Sequence, residues 1–175
     1  MDIKKILALA IVVLAVFSCM SVVSAGLFDF LGGGVNNATY TFDGFTLDLP
    51  ENANFTNDTN TDNGFEEKVY DIEWTEESGK NVSISVTTAK GDSLVSDVNE
   101  FIDNWVSDGA KSEGTYKDWN IININGVKVQ LFEDLDLNFT FSGYILTKHT
   151  GSELITIEGD DLAVLKSVAD TYKEI

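Results

Sequence analysis

Phe45, Leu47 and Leu49 alternate with Thr46 and Asp48. This period of two places three apolar side chains on one face of an extended strand. Residues 39–42 and 45–49 flank Asp43-Gly44, a favoured hairpin turn, so the spacing predicts a pair of strands here. Pro50, the only proline, ends the second of them. Residues 51–64 are rich in Asn, Thr and Asp and read as a solvated loop. Strand pattern resumes over 68–74, where Tyr70, Ile72 and Trp74 share a face. A turn at Ser78-Gly79 leads into 81–87, with Val82, Ile84 and Val86 facing in and Ser83, Ser85 and Thr87 facing out. Successive half-buried strands of this kind predict an antiparallel sheet.

The period then changes. Val95, Val98, Phe101, Ile102, Trp105 and Val106 recur at helical spacing between a cap at Asp92 or Ser93 and a stop at Gly109. Asp97, Asn99, Glu100 and Asp103 fill the wet side. Residues 119–124 and 127–132 flank Asn125-Gly126, a strong hairpin signal. A long strand over 138–147 and another over 153–158 meet around Thr150-Gly151. Asp160 or Asp161 opens a second helix whose buried stripe is Leu162, Leu165, Val168, Ala169 and Tyr172. The predicted class is α+β: one antiparallel sheet of about six or seven strands covered by two helices, forming a single domain over 39–175.

The first 25 residues have a different character. Lys4 and Lys5 precede an uncharged, almost wholly apolar run from Ile6 to Phe17, and Val23-Ser24-Ala25 supplies small residues at cleavage positions. A basic flank, an apolar core and a small-residue exit make a secretory signal, with cleavage expected after Ala25. The stretch from Ile6 to Ala25 is also 20 residues without charge, long enough for an uncleaved anchor with the domain outside. A lipoprotein reading would use Cys19, but Phe17 is bulky where a lipobox carries small residues. Residues 26–38, with Gly32-Gly33-Gly34, read as a flexible tether. The membrane is then touched only through the N-terminal segment.

The run Phe42-Asp43-Gly44-Phe45-Thr46-Leu47-Asp48-Leu49-Pro50 resembles the opening strand of PsbP-like extrinsic photosystem proteins. The closing strand and helix over 153–172 are similar in kind to the last two elements of that fold. The resemblance spans 39–175 and implies an α/β/α sandwich, found also in periplasmic lipoproteins and a nuclear Ran-binding protein. Such a superfamily spans unrelated functions, so the resemblance implies a fold and no chemistry.

Composition narrows the partners. After Ala25 the chain holds 150 residues, enough for one domain with its own core. Cys19 is the only cysteine, so the mature part has no disulfide and no thiol nucleophile, and its stability must come from packing. Nine lysines face 28 acidic residues there, a net charge of −19, and there is no arginine. Phosphate and base-edge recognition lean on Arg and Lys, so no nucleic-acid partner is expected. Such acidity serves solubility outside the cell, and secondarily an affinity for cations.

Candidate chemistry is sparse. His149 is the only histidine and reads as a turn tip in Lys148-His149-Thr150-Gly151, without a nucleophile elbow. One histidine and no mature cysteine exclude the common zinc sites. No phosphate-loop or dinucleotide fingerprint is present. Glu133, Asp134 and Asp136 fall in one expected loop and Glu66 and Glu67 in another, where solvated charge is the ordinary reading of paired carboxylates. Asp58, Asn60 and Asp62 place oxygen ligands at alternate positions before Gly64, a calcium-loop spacing. Glycine there is one position late, and Val69 stands at position twelve, with Glu66 or Glu67 to compensate. Five sequons, headed by Asn37, Asn54, Asn57, Asn81 and Asn138, are acceptors for glycans in an exported chain.

No catalytic residue and no cofactor are expected. The leading expectation is a surface-exposed, non-enzymatic interaction or envelope-associated protein with an envelope or extracellular protein partner. An extracellular module binding cations (calcium, at the acidic loop) or a small ligand is the second. A carboxylate-dependent hydrolase is the third.

Overall fold

A computed structural model describes residues 37–62, 65–91, 98–132, 137–150 and 153–175. The expected signal and anchor, Cys19, the first eleven tether residues, Gly64, Val95 with its helix cap, Glu133, Asp134 and Asp136 lie outside the described residues. Among the described residues no helix is long and apolar enough to cross a membrane.

The chain is α+β. Its strands are β1 (Asn37–Thr41), β2 (Phe45–Pro50), β3 (Asn54–Asp62), β4 (Phe65–Thr75), β5 (Asn81–Gly91), β6 (Lys111–Tyr116), β7 (Trp119–Asn123), β8 (Lys128–Phe132), β9 (Leu137–Thr140), β10 (Tyr144–Thr150), β11 (Glu153–Gly159) and β12 (Lys173–Glu174). Among the described residues there are two helices, α1 (Val98–Ser107) and α2 (Leu162–Thr171). Seven strands form the main sheet in the order β3-β4-β5-β11-β10-β7-β6, with every neighbouring pair antiparallel. The opening hairpin leaves this sheet and makes a smaller one, β1-β2-β12. β8 and β9 form a separate two-stranded ribbon.

The main sheet is covered on both faces. On the first face Tyr70, Ile72, Trp74, Val82, Ile84, Val86, Leu146, Ile155 and Ile157 pack with Phe45, Leu47 and Leu49 of β2 and with Leu165 and Val168 of α2. Asp161 caps α2, its Oδ1 accepting from the backbone N–H of Ala163 at 3.0 Å and of Val164 at 3.4 Å. On the second face Ile122, Ile145 and Leu154 pack under Phe101 and Trp105 of α1, with Phe141 from the loop after β9. α1 ends in a Schellman turn: Ala110 N–H bonds Trp105 C=O at 3.0 Å and Gly109 N–H bonds Val106 C=O at 3.1 Å. Gly109 takes φ +103°, the left-handed value that such a cap requires. Val106, expected in the buried stripe, is 43% exposed because it sits one position past the face that Trp105 presents.

Several local expectations are corrected. Asn37 and Ala38, inside the expected tether, belong to β1. Residues 54–62 are a strand rather than a loop, because pairing with β4 supplies the order that their polar side chains do not. The exposed segment 111–116 is also a strand, at the other edge of the sheet. Asn125-Gly126 does not join a hairpin: β7 pairs with β6 and β10, and among the described residues β8 pairs with β9 alone. The Asn125 side chain instead grips Gly143, donating to its C=O at 3.1 Å and accepting from its N–H at 2.9 Å. This clamp turns the chain out of the sheet into the β8–β9 ribbon. The long strand expected over 138–147 is correspondingly broken at 141–143, between β9 and β10. Gly143 sits at φ +113°, and a Cβ there would lie 2.6 Å from the Gly159 carbonyl oxygen.

Candidate functional site

Alternation decides what the second sheet face carries. Because Tyr70, Ile72 and Trp74 face the first core, Glu67, Val69, Asp71, Glu73 and Thr75 of β4 face the other way. Register extends this row across the sheet. Asp71 lies opposite Ser85, and Ser85 opposite Glu158. Val69 lies opposite Thr87, and Thr87 opposite Thr156. Under α1 this face is apolar; towards β3 it becomes polar and acidic.

Part of the polar region is buried. Glu67, Ser85, Thr87, Thr147, Thr156 and Glu158 are all shielded from solvent. Ser85 and Thr87 were expected to face water, and Glu67 to sit in a solvated loop. Both expectations fail because the second face is covered too, which the alternation of one strand cannot show. Thr147 Oγ1 donates to the Ile155 carbonyl at 3.2 Å, and Thr156 Oγ1 to Glu158 Oε1 at 3.4 Å. Neither carboxyl oxygen of Glu67, nor Oδ1 of Asp71, has a hydrogen-bond partner among the described residues.

Burying a carboxylate without a counter-charge favours its neutral form. Desolvation, reinforced by Asp58, pushes Glu67 up to about 7. Desolvation pushes Glu158 up to about 8; the Thr156 hydrogen bond opposes the shift, and Glu67 and Asp71 add repulsion. Asp71 is raised as well, mainly by burial, with the Ser85 hydroxyl pulling the other way. Glu67, Asp71 and Glu158 therefore form a row of raised carboxyls with no cation paired to them among the described residues.

The rest of the polar region is open. Asn54, Thr56 and Asp58 of β3, Glu73 and Thr75 of β4, and Asn81 of β5 are exposed on this face. At its far end a cavity of about 200 Å³ is lined by Asn52, Asn54, Glu73, Trp74, Thr75, Asn81, Val82 and Ser83. Asn52 Nδ2 donates to the Thr75 carbonyl at 2.8 Å and Thr75 Oγ1 to Asn81 Oδ1 at 2.9 Å, so the walls are braced by their own hydrogen bonds.

The calcium candidates do not converge. Asp58 and Asn60 occupy the β3 face that meets Val69 and Glu67, whereas Glu66 pairs with Thr61 on the opposite face. Asp58 and Asn60 share one face of β3, and Glu66, which would complete the set, does not join them there. Asp62 closes the strand opposite Phe65. Glu66 is engaged elsewhere, by Lys68 at 3.0 Å and Lys90 at 3.3 Å, which hold its carboxyl below the usual range. Among the described residues no three His, Cys, Asp or Glu side chains are grouped to hold a metal. His149 is an exposed residue within β10, opposite Leu154, rather than a turn tip.

The sequons fall on strands. Asn37 opens β1, Asn54 and Asn57 lie on β3, Asn81 opens β5 and Asn138 lies in β9. Asn37, Asn54, Asn57 and Asn81 are exposed.

The buried carboxyl row was missed by sequence reasoning. One signal was present: in the run from Leu154 to Glu158 apolar residues occupy both alternating sets, which marks a strand covered on both faces. Comparison with protein-family models, with curated proteins and with solved structures returns no match to this chain.

Proposed function

We propose that this chain is an exported, surface-exposed, non-enzymatic interaction domain associated with the cell envelope. The observation that carries the reading is the open acidic half of the second sheet face, where Asp58 and Glu73 stand among exposed Asn and Thr side chains on three adjacent strands. A flat polar face with negative charge suits a protein partner that presents lysine or arginine together with hydrogen-bonding groups. The N-terminal segment supports export, and the Gly-rich stretch gives the domain reach from a membrane.

Intact-mass analysis of the protein from its source cells should give a chain beginning at Gly26 in the envelope or outside it. Cross-linking in intact envelopes should capture a basic partner, and Asp58→Lys with Glu73→Lys should abolish the capture. Recovery of the chain in the cytoplasm with residues 1–25 intact would overturn the export reading. An undiminished cross-link in the double variant would remove the partner from this face.

The cavity of about 200 Å³ favours a second reading, a module for a small polar ligand, since Asn52, Asn54, Glu73, Thr75 and Asn81 offer donors and acceptors within one groove. A rise in melting temperature with such a ligand, without any protein cross-link, would favour that reading. Hydrolysis through carboxylates is the least supported, because Glu67 and Glu158 are shielded from solvent.

A further inference from the structure

The two edges of the seven-stranded sheet are guarded differently. At one edge β6 is six residues long, carries Lys111, and breaks register between Ser112 and Thr115, where Gly114 takes φ +87°. A short, bulged, lysine-bearing edge resists pairing with another chain. At the other edge β3 runs nine residues in unbroken register, from Asn54 opposite Glu73 to Asp62 opposite Phe65. It has no lysine, no proline and no bulge, its residues 54–61 are exposed, and Phe55 is 45% exposed. A long, flat, unpartnered edge is a template for intermolecular strand pairing.

Two sequons, Asn54-Phe55-Thr56 and Asn57-Asp58-Thr59, lie within this strand. Their asparagines are three residues apart, so they project to opposite faces of the sheet. Glycan transfer to a sequon uses the asparagine amide together with the hydroxyl two residues on. Here Thr56 and Thr59 are both exposed, and their hydroxyls make no hydrogen bond among the described residues. Asn54 Nδ2 makes one long contact, donating to the Asn52 carbonyl at 3.3 Å, and the sequons of Asn37 and Asn81 are more engaged. The Thr39 hydroxyl of the Asn37 sequon donates to Asp48 at 2.6 Å. In the Asn81 sequon the asparagine Oδ1 accepts from Thr75 and the Ser83 hydroxyl is buried.

We propose that Asn54 and Asn57 are N-glycosylated and that the two glycans, one on each face of β3, block edge-to-edge pairing of the sheet. The inference rests on the export reading above, and the Asn54 glycan, which would stand beside Glu73, excludes a protein partner from that end of the polar face. The donor is a lipid-phosphate-linked oligosaccharide presented by a membrane transferase. The asparagine amide nitrogen forms a bond to the sugar anomeric carbon, the bond from that carbon to the phosphate oxygen breaks, the lipid phosphate leaves, and the amide gives up one proton to a base of the transferase.

The test uses the full chain expressed in its source cells, with fractionation, intact mass and glycopeptide mapping. Peptides containing Asn54 and Asn57 should each carry a glycan mass. Asn54→Gln and Asn57→Gln should each remove one increment, and Thr56→Ala with Thr59→Ala should remove both while leaving the asparagines in place. The chain carrying Asn54→Gln with Asn57→Gln should still melt cooperatively, but shift from monomer to self-associated species on size exclusion. Adding Thr59→Lys to that variant should restore the monomer. An exported chain with no glycan on β3, or with glycans only at Asn37, Asn81 or Asn138, would overturn the proposal while leaving export intact. A glycan-free double variant that stays monomeric at every concentration would overturn the blocking role. A cytoplasmic chain with residues 1–25 intact and no glycan would overturn the export reading and this inference with it.

Discussion

Glu158→Gln tests the buried carboxyl row directly. Folding carries the Glu158 carboxyl from water to a site that is 4% exposed, where desolvation and the neighbouring Glu67 and Asp71 raise it from 4.5 to about 8. The folded state therefore keeps a proton that the unfolded state releases, throughout the window between those two values. A group raised in this way favours folding at low pH and loses that contribution as pH rises, with a slope of about 1.4 kcal/mol per pH unit for one proton. Between pH 5 and pH 8 the loss integrates to roughly 3–4 kcal/mol for Glu158 alone. Glu67 acts in the same direction, but the two share one repulsion, so their effects do not add in full. Glutamine keeps the shape, can still accept from Thr156 and cannot ionise. Urea unfolding of the chain from Gly26 at pH 5, 6, 7 and 8 should show wild-type stability falling across the series. Glu158→Gln should match wild type at pH 5 and exceed it by about 2–4 kcal/mol at pH 8. The exposed Glu77→Gln removes the same unit of charge and should leave the slope unchanged, which separates the local effect from that of the overall charge of −19. A flat or rising wild-type profile, or an equal loss in Glu158→Gln at both ends, would refute the reasoning.

Trp105→Ala empties the centre of the α1 contact, where the indole is 6% exposed and meets Phe141 edge-on at 5.5 Å, and should cost about 3–5 kcal/mol in denaturant unfolding. A loss under about 1 kcal/mol would show that α1 does not pack on this face through Trp105. Gly143→Ala forces a side chain into the left-handed region and onto the Gly159 carbonyl, so it should destabilise by more than about 2 kcal/mol, whereas Gly79→Ala, with open space around it, should cost less. Calcium and magnesium at matched ionic strength should raise the melting temperature equally, and Asp58→Ala with Asp62→Ala should not separate them. A calcium-specific shift lost in that double variant would restore the metal reading of residues 58–62.

Each local pattern that one covering layer could satisfy was legible in the chain. The alternation of Phe45, Leu47 and Leu49, that of Tyr70, Ile72 and Trp74, Phe101 and Trp105 of the first helical stripe, and Leu165 and Val168 of the second are found in the core. These patterns sufficed for the α+β class and the two helices, because the period of burial belongs to the strand or helix itself. Pairing is a different matter. Asn54–Asp62 has the composition of a loop and becomes a strand because β4 offers an edge to it. Asn125-Gly126 has the chemistry of a hairpin and becomes a clamp on Gly143 because β7 already has β6 and β10 beside it. The candidate site lay furthest from the sequence. Whether Glu67 and Glu158 meet water depends on what covers the second face of the sheet, and Asp71 and Glu158 meet through β5, which is separated from each along the chain. Sequence alone determined the charge, the N-terminal segment and the sequons. Tertiary structure decided which carboxyls are buried and which sequons lie on an open edge, because burial and neighbourhood are properties of surfaces brought together rather than of residues in order.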